Sequence, residues 1–500
     1  MPERPPARAE DLSAALAAVE LAPDGPQIGA FFDYDGTVIR GFSAGAFYGH
    51  RLRKGELGPV ELARTLWLAR QGIHSEADFA TFLELSLGAW KGRPVEELDE
   101  LGRRLFKHEI AARLHLEVWE LIEAHRAKGH TLALASSATP FQLQPAADAL
   151  GIPFALSTPV GVRDGRLTGA TDGDPLWGRG KARAVRALAG EHGIDLAASF
   201  AYSNGAEDIA FLSAVGHPTA VEPEAGLAAE AARRDWPTVR CVPRGQRPGA
   251  RALARTATFY GAFGAAAAAG LGAGLLNRSR ETLVEVAGGV GADLSLAMAG
   301  IRVEVVSGAE HLWGARPCLF VFNHRSKLDA IVLMKLLRSN FTGVAKAEAR
   351  NVPGFGQFFQ IAGVAFIDRT NISDARRAME PAVAKLRDEG VSLVIAPEGT
   401  RSPTPRLGPF KKGPFHIAMQ AGVPMVPIVL RNVDEVMWRG AQTLTPGTIE
   451  VAVLAPVDTS AWRRETIDDH VAEVRGMFLK TLAHWPRGEA AGPRSLEARA

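Results

Sequence analysis

Short apolar runs alternate with longer segments of helical period along most of this chain. In the first half the runs are 27–32, 132–135 and 200–202, each too short for a helix, and each predicts a buried strand. From 42 to about 128 apolar residues recur at helix spacing with charges between them, and helical patterns fill the other gaps. This alternation predicts a doubly wound parallel α/β sheet, and the long helical stretch after the first strand predicts an inserted cap over about 40–128. Residues 158–169 read as a hairpin turning at Asp164-Gly165. In the second half, runs at 318–322, 364–367, 391–396 and 425–430 predict strands. Helical patterns at 328–338, 373–388 and 412–420 separate them, so a second α/β unit is expected.

The pattern changes between these halves. Residues 236–255 hold five arginines (240, 244, 247, 251 and 255) and no acid, and 256–276 carry no charge at all. Twenty-one uncharged residues reach the length of a bilayer span. A second apolar stretch, 283–298, contains Glu285 and Asp293. The expectation is a two-helix membrane-associated linker, 256–276 and 281–300, with the arginines meeting anionic headgroups. The alternative is a linker pair buried against the second domain, which the small Ala and Gly residues would permit. The domain plan is a disordered lead (1–27), an α/β domain with its cap (28–235), a basic linker (236–255), the helical hairpin (256–300), a second α/β domain (301–480) and a disordered tail (481–500).

Composition narrows the function classes. Five hundred residues exceed one ordinary core, in line with two domains. A net charge of +2 argues against nucleic acid as the main partner. Two cysteines, Cys241 and Cys318, form no disulfide framework or zinc pattern, so a reducing compartment is expected. The opening residues contain no apolar core of signal-peptide type.

The first candidate chemistry is DYDGT at 33–37, where Asp33 and Asp35 end an apolar strand. Period two places both carboxylates on a similar side, one as nucleophile and one as acid and base, with a divalent oxygen-seeking metal to hold a phosphate. The run resembles the first motif of the haloacid dehalogenase-like hydrolases, in their phosphoserine-phosphatase-like branch. LALASSATP at 132–140 resembles the second motif, with Ser137 the better match and Ser136 the alternative. Lys181 resembles the third-motif lysine, and SNGAED at 203–208 the acidic fourth motif. The resemblance implies Mg²⁺ held by Asp33, Asp35, Asn204 and Asp208, with Ser137 and Lys181 on the phosphoryl group. One departure stands out: Asn204 replaces the family's aspartate, which removes a negative charge from the metal site.

The second candidate is VFNHRSKLD at 321–329, a histidine five residues before an aspartate after an apolar run. A histidine oriented by a carboxylate can take a proton from a hydroxyl near neutral pH. The run resembles the first motif of the glycerolipid acyltransferases similar to bacterial 1-acylglycerol-3-phosphate acyltransferase. GVAFIDR at 363–369, EGTR at 398–401 and VPIV at 426–429 resemble the later motifs, with Lys346 and Glu348 matching between. The resemblance implies that His324, oriented by Asp329, activates a lysophospholipid hydroxyl toward acyl-CoA or acyl-carrier protein. Arg369 and Arg401 would grip the acceptor phosphate, with Lys346 assisting. Glu398 would order the arginines or a substrate hydroxyl, Gly399 would permit the tight loop, and 402–405 would be a mobile loop at the entrance.

Together these readings predict a bifunctional enzyme on the cytoplasmic face of the cell membrane, peripheral or monotopic, with a homodimer possible. The acceptor expected is 1-acyl-sn-glycerol-3-phosphate, and the product phosphatidic acid. The alternative is an acyltransferase for another lysolipid, joined to a weakened or vestigial phosphatase-like domain serving as scaffold or dimerisation module; Asn204 is the feature behind it.

Overall fold

The computed structural model of the chain describes residues 8–58, 61, 63, 75–242, 248–346, 350–351, 356–357, 360, 363–367 and 375–486. The chain divides into two compact units, Met1–Gly245 and Gln246–Ala500.

In the first unit, strands β1 (Gly29–Phe32), β2 (Thr131–Ala135) and β3 (Phe154–Leu156) come first. β4 (Val160–Arg163) and β5 (Arg166–Thr171) form a separate antiparallel hairpin, and β6 (Phe200–Ser203), β7 (His217–Val221) and β8 (Thr238–Val239) complete the set. The sheet runs β3-β2-β1-β6-β7-β8, parallel throughout. All four residues of β1 are buried, as a central parallel strand requires. Because order reverses at β1, the loops after β1, β2 and β6 share one sheet end, where a doubly wound fold places its ligand.

The insertion after β1 carries helices Ala44–Arg53, Glu76–Gly88 and Val95–Leu105. The next helix, Leu116–Ala127, packs on β2, so the cap ends before it rather than near 128. The β4–β5 hairpin joins the cap instead: it packs on Glu76–Gly88, and Pro94 bridges Arg166. The expected disordered lead is corrected over residues 8–21. Arg8–Leu21 is helical and lies against Leu116–Ala127, with Ala15 and Val19 buried at helix spacing.

The second unit is built on β9 (Ile301–Ser307), β10 (Leu319–Phe322), β11 (Phe341–Lys346), β12 (Ala365–Ile367), β13 (Ser392–Ile395), β14 (Met425–Arg431) and β15 (Gly447–Val453). Their order is β12-β11-β13-β10-β14-β15-β9, and β14–β15 is its antiparallel pair. β10 divides the core by strand alternation. Phe320 and Phe322 join Ile331, Val426 and Ile428 on one face, while Leu319 and Val321 join Leu393, Phe415 and Val429 on the other.

The membrane-hairpin expectation is half corrected. Among the described residues one helix, Ala250–Asn277, is long and apolar enough to span a bilayer by length and composition. It exposes Leu253, Tyr260, Leu271, Leu275 and Leu276. The second segment is helical as well, passing from Arg280–Val284 through a π-helical stretch at Glu285–Val290 into Gly291–Met298. Its small residues Ala287, Gly288, Gly289 and Ala292 are buried, and it packs on the long helix. The approach is close: a Cβ on Gly270 would lie 2.9 Å from Ala287 N. Asp293, read as an interruption, pairs with Lys335 and Arg338 at 2.5 Å each and pins this segment to its domain. At the other end, helix Ile467–Ala483 and the following residues to 486 replace the start of the expected disordered tail.

Candidate active sites

The first site gathers at the ends of β1 and β6. Asp33, 4% exposed, accepts from Lys181 Nζ at 2.5 Å through Oδ1 and from Thr37 Oγ1 at 3.0 Å through Oδ2. Lys181 Nζ also donates to Asp208 Oδ2 at 2.6 Å, and Ser203 Oγ donates to the same oxygen at 2.5 Å. Asp208 Oδ1 is buried with no partner among the described residues. Thr37 Oγ1 lies 3.2 Å from Asn204 Oδ1, bringing the expected departure into the cluster. Gly36 has φ +84°, and a Cβ there would fall 2.3 Å from Asn204 Nδ2, so the DYDGT turn closes directly on Asn204.

Burial pushes the Asp33 carboxyl up to about 6, against the pull of Lys181. Burial acts against the Lys181 ammonium, but Asp208 and Asp33 hold its pKa raised. Asp35 behaves differently. Its Oδ1 accepts from Ser43 N at 2.6 Å and its Oδ2 from Ser43 Oγ at 3.0 Å, while burial pushes it up to about 7. Both oxygens of Asp35, expected as a metal ligand, are engaged by Ser43 at the start of the cap. Among the described residues no group of three His, Cys, Asp or Glu forms a metal cage. The donor set that does gather (Asp33, the Asn204 carbonyl and the unpartnered Asp208 oxygen) is all oxygen. That suits Mg²⁺, which keeps several waters and few protein ligands. Ser136 is buried with its Oγ accepting from Ala138 N at 3.1 Å, whereas Ser137 is half-buried in the loop after β2. Thr37, Ser203 and Ser43 were not singled out from sequence, although the first two lie inside the quoted motifs.

The second site forms where β10 runs into helix Asp329–Leu337. His324 Nδ1 lies 2.7 Å from Asp329 Oδ2. That same oxygen accepts from the main-chain N–H of Arg325 at 2.8 Å and of Ser326 at 3.0 Å, so the turn folds around its own aspartate. Asp329 is fully buried, whereas the His324 side chain is 30% exposed. Asn323 closes the turn from behind: its Nδ2 donates to Leu430 O and its Oδ1 accepts from Leu430 N, locking β10 to β14.

Glu398 has a role sequence reading did not assign. Its Oε1 accepts from His324 N at 2.7 Å and its Oε2 from Gly408 N at 2.8 Å. The carboxylate thus orders main chain, and burial raises its pKa against those two N–H groups. Gly399 takes φ +73° in the tight loop. The 402–405 loop, expected to be mobile, is held: Arg325 Nη1 donates to Pro405 O, and Arg439 Nη1 to Ser402 O at 2.8 Å. Lys346 ends β11, but its side chain lies outside the described residues, as does Arg369 altogether.

Two family models match the chain: "Acyltransferase" over residues 303–431 and "haloacid dehalogenase-like hydrolase" over residues 30–213. A 1-acyl-sn-glycerol-3-phosphate acyltransferase of Limnanthes alba is 36% identical over 183 residues, 37% of this chain and 64% of that protein. The chain thus spans a little under two thirds of that relative's length. A 1-acyl-sn-glycerophosphate acyltransferase structure from Thermotoga maritima has a TM-score of 0.40 and 26% identity, covering 47% of this chain and 96% of its own. A phosphoserine phosphatase structure has a TM-score of 0.33 and 19% identity, covering 44% of this chain and 95% of its own. The first half of the chain thus resembles the haloacid dehalogenase-like hydrolases, and the second half resembles the 1-acyl-sn-glycerol-3-phosphate acyltransferases.

Proposed function

We propose that the C-terminal domain transfers an acyl group from acyl-CoA or acyl-carrier protein to the free hydroxyl of 1-acyl-sn-glycerol-3-phosphate, giving phosphatidic acid. The observation that carries this is the 2.7 Å His324–Asp329 contact inside a turn whose N–H groups also point at Asp329. With Nδ1 donating to Asp329, Nε2 is the basic nitrogen. His324 Nε2 takes the proton of the acceptor hydroxyl, the oxygen attacks the thioester carbon, and the C–S bond breaks. The proton held by His324 then passes to the departing thiolate. Arg401 supplies a fixed cation for the acceptor's phosphate, with Arg369 and Lys346 beside it in this reading. The long helix Ala250–Asn277 lays its exposed apolar residues on the cytoplasmic face of an anionic membrane, where the acceptor lies.

For the N-terminal domain the proposed reaction is hydrolysis of a phosphomonoester. Asp33 is the nucleophile and Asp35, held by Ser43, moves the proton. Lys181 offsets phosphate charge, and Ser137 binds the phosphoryl oxygens. Asp33, Asn204 and Asp208 would hold Mg²⁺, which would offset phosphate charge. The neutral Asn204 amide favours a second reading of this half, in which turnover is weak and the domain acts as scaffold.

The test is an acceptor panel with acyl-CoA, run beside a Mg²⁺-dependent phosphate-release panel on the full chain. Transfer to 1-acyl-sn-glycerol-3-phosphate above other lysolipids supports the first reading. Preference for a phosphate-free acceptor would overturn the assignment of acceptor, and no phosphate release from any phosphomonoester would favour the scaffold.

A further inference from the structure

We infer that Arg439 is a positioning residue for the acyltransferase site, holding Arg401 where it meets the acceptor's phosphate; this rests on the proposed role of Arg401. Arg439 lies in none of the segments that pointed to this chemistry. The structure nonetheless places it between them. After the short helix Val433–Val436, the chain passes the site as Met437, Trp438 and Arg439. Met437 O accepts from Ser326 Oγ at 3.0 Å, inside the His324–Asp329 turn. Two residues on, Arg439 Nη1 donates to Arg401 O at 3.3 Å and Ser402 O at 2.8 Å. Ser402 N in turn donates to His324 O at 3.4 Å. One three-residue strap therefore touches both the proton-transfer turn and the loop that carries Arg401.

The strap is a firm support. Met437 and Trp438 are 5% and 6% exposed, and Leu444 beyond them is buried and donates from its N to Thr256 Oγ1 at 3.0 Å. Arg325 donates to Pro405 O and pairs with half-buried Asp434 at 3.3 Å. Two guanidinium groups thus hold the 401–405 loop by its carbonyl oxygens. Burial, and then the charge of Arg401, lower the pKa of Arg439. An anionic headgroup bound at the loop offsets that repulsion, so the arrangement favours a phosphate-bearing acceptor.

The experiment compares steady-state kinetics of the full chain and of R439A, R439K, R401A and the R401A/R439A double variant. Acyl-CoA is the donor, and the acceptors are 1-acyl-sn-glycerol-3-phosphate and phosphate-free monoacylglycerol. R439A is expected to raise the KM for the phosphate-bearing acceptor about tenfold or more. Its kcat should stay within about threefold of the parent, because the reacting atoms are untouched. The KM values for acyl-CoA and monoacylglycerol should not move. R439K, which keeps the charge but not the planar fork, should fall between, and serves alone if R439A does not fold. The double variant should be no worse than R401A, since Arg439 acts through Arg401. If R401A raises the acceptor KM and neither Arg439 variant does, the inference is overturned while the role of Arg401 stands. If R401A leaves that KM unchanged, the role of Arg401 falls and the inference with it. An equal loss toward both acceptors in a folded Arg439 variant would also overturn it.

Discussion

In the N-terminal site Asp33 and Asp208 share one buried ammonium, Lys181, whereas in the C-terminal site Asp329 and Glu398 are held by main-chain N–H groups of Arg325, Ser326, His324 and Gly408. Both arrangements give buried carboxylates hydrogen-bond partners out of water, but they respond differently to change. Charge cancellation fails when either sign is removed, because a buried charge is left unpaired. Main-chain N–H groups survive any side-chain substitution that preserves the turn. The N-terminal site should therefore couple chemistry to stability, and the C-terminal site should separate them.

His324→Ala tests the separable side and carries the largest expected effect. Acyl transfer should fall by about 10³-fold or more, the range of a lost general base. The thermal midpoint should hold, because the main-chain N–H groups of Arg325 and Ser326 still hold Asp329. Lys181→Met tests the coupled side. Asp33 and Asp208 would then face each other without a cation, and the N-terminal domain should lose about 3–5 kcal/mol in urea unfolding, together with phosphate release. A Lys181→Met protein of parental stability would break the contrast between the two sites.

Glu398→Gln sharpens the contrast from within the second site. The amide keeps one acceptor oxygen for two N–H donors, so transfer should drop by about tenfold, with a modest stability loss of about 1 kcal/mol. An effect as large as that of His324→Ala would mean that Glu398 touches substrate. Asn204→Asp carries the smallest effect: it restores a negative charge beside Thr37 and Asp33, and half-maximal phosphate release should need several-fold less Mg²⁺. An unchanged Mg²⁺ dependence would mean that Asn204 is no metal ligand.

What the sequence made legible follows the same division. Asp33, Lys181 and Asp208 are far apart in the chain, and their meeting could be expected only through the family resemblance of the motifs that carry them. His324 and Asp329 are close enough for one turn to join them. Strands β9 and β15 were missed although Ile301, Val303 and Val305 alternate with charged residues, a readable edge pattern. β11 contains Thr342 and Gly343 and gave no such signal. The 281–298 segment was legible as a helix beside the long one, but apolar composition did not record what it packs on. Gly270 against Ala287, and Asp293 against Lys335 and Arg338, supply those contacts. The engagement of Glu398 and Arg439 with main-chain atoms was invisible for a different reason: no residue pattern records which carbonyl or N–H a loop turns toward them.

The central claim is two separate active sites on one chain, and reciprocal inactivation tests it most directly. Full-length His324→Ala and Asp33→Asn proteins, each verified as folded, are assayed in the same preparation for acyl transfer to 1-acyl-sn-glycerol-3-phosphate and for Mg²⁺-dependent phosphate release. The account predicts that His324→Ala loses transfer and keeps phosphate release, and that Asp33→Asn does the reverse. Loss of both activities in either folded variant would contradict it.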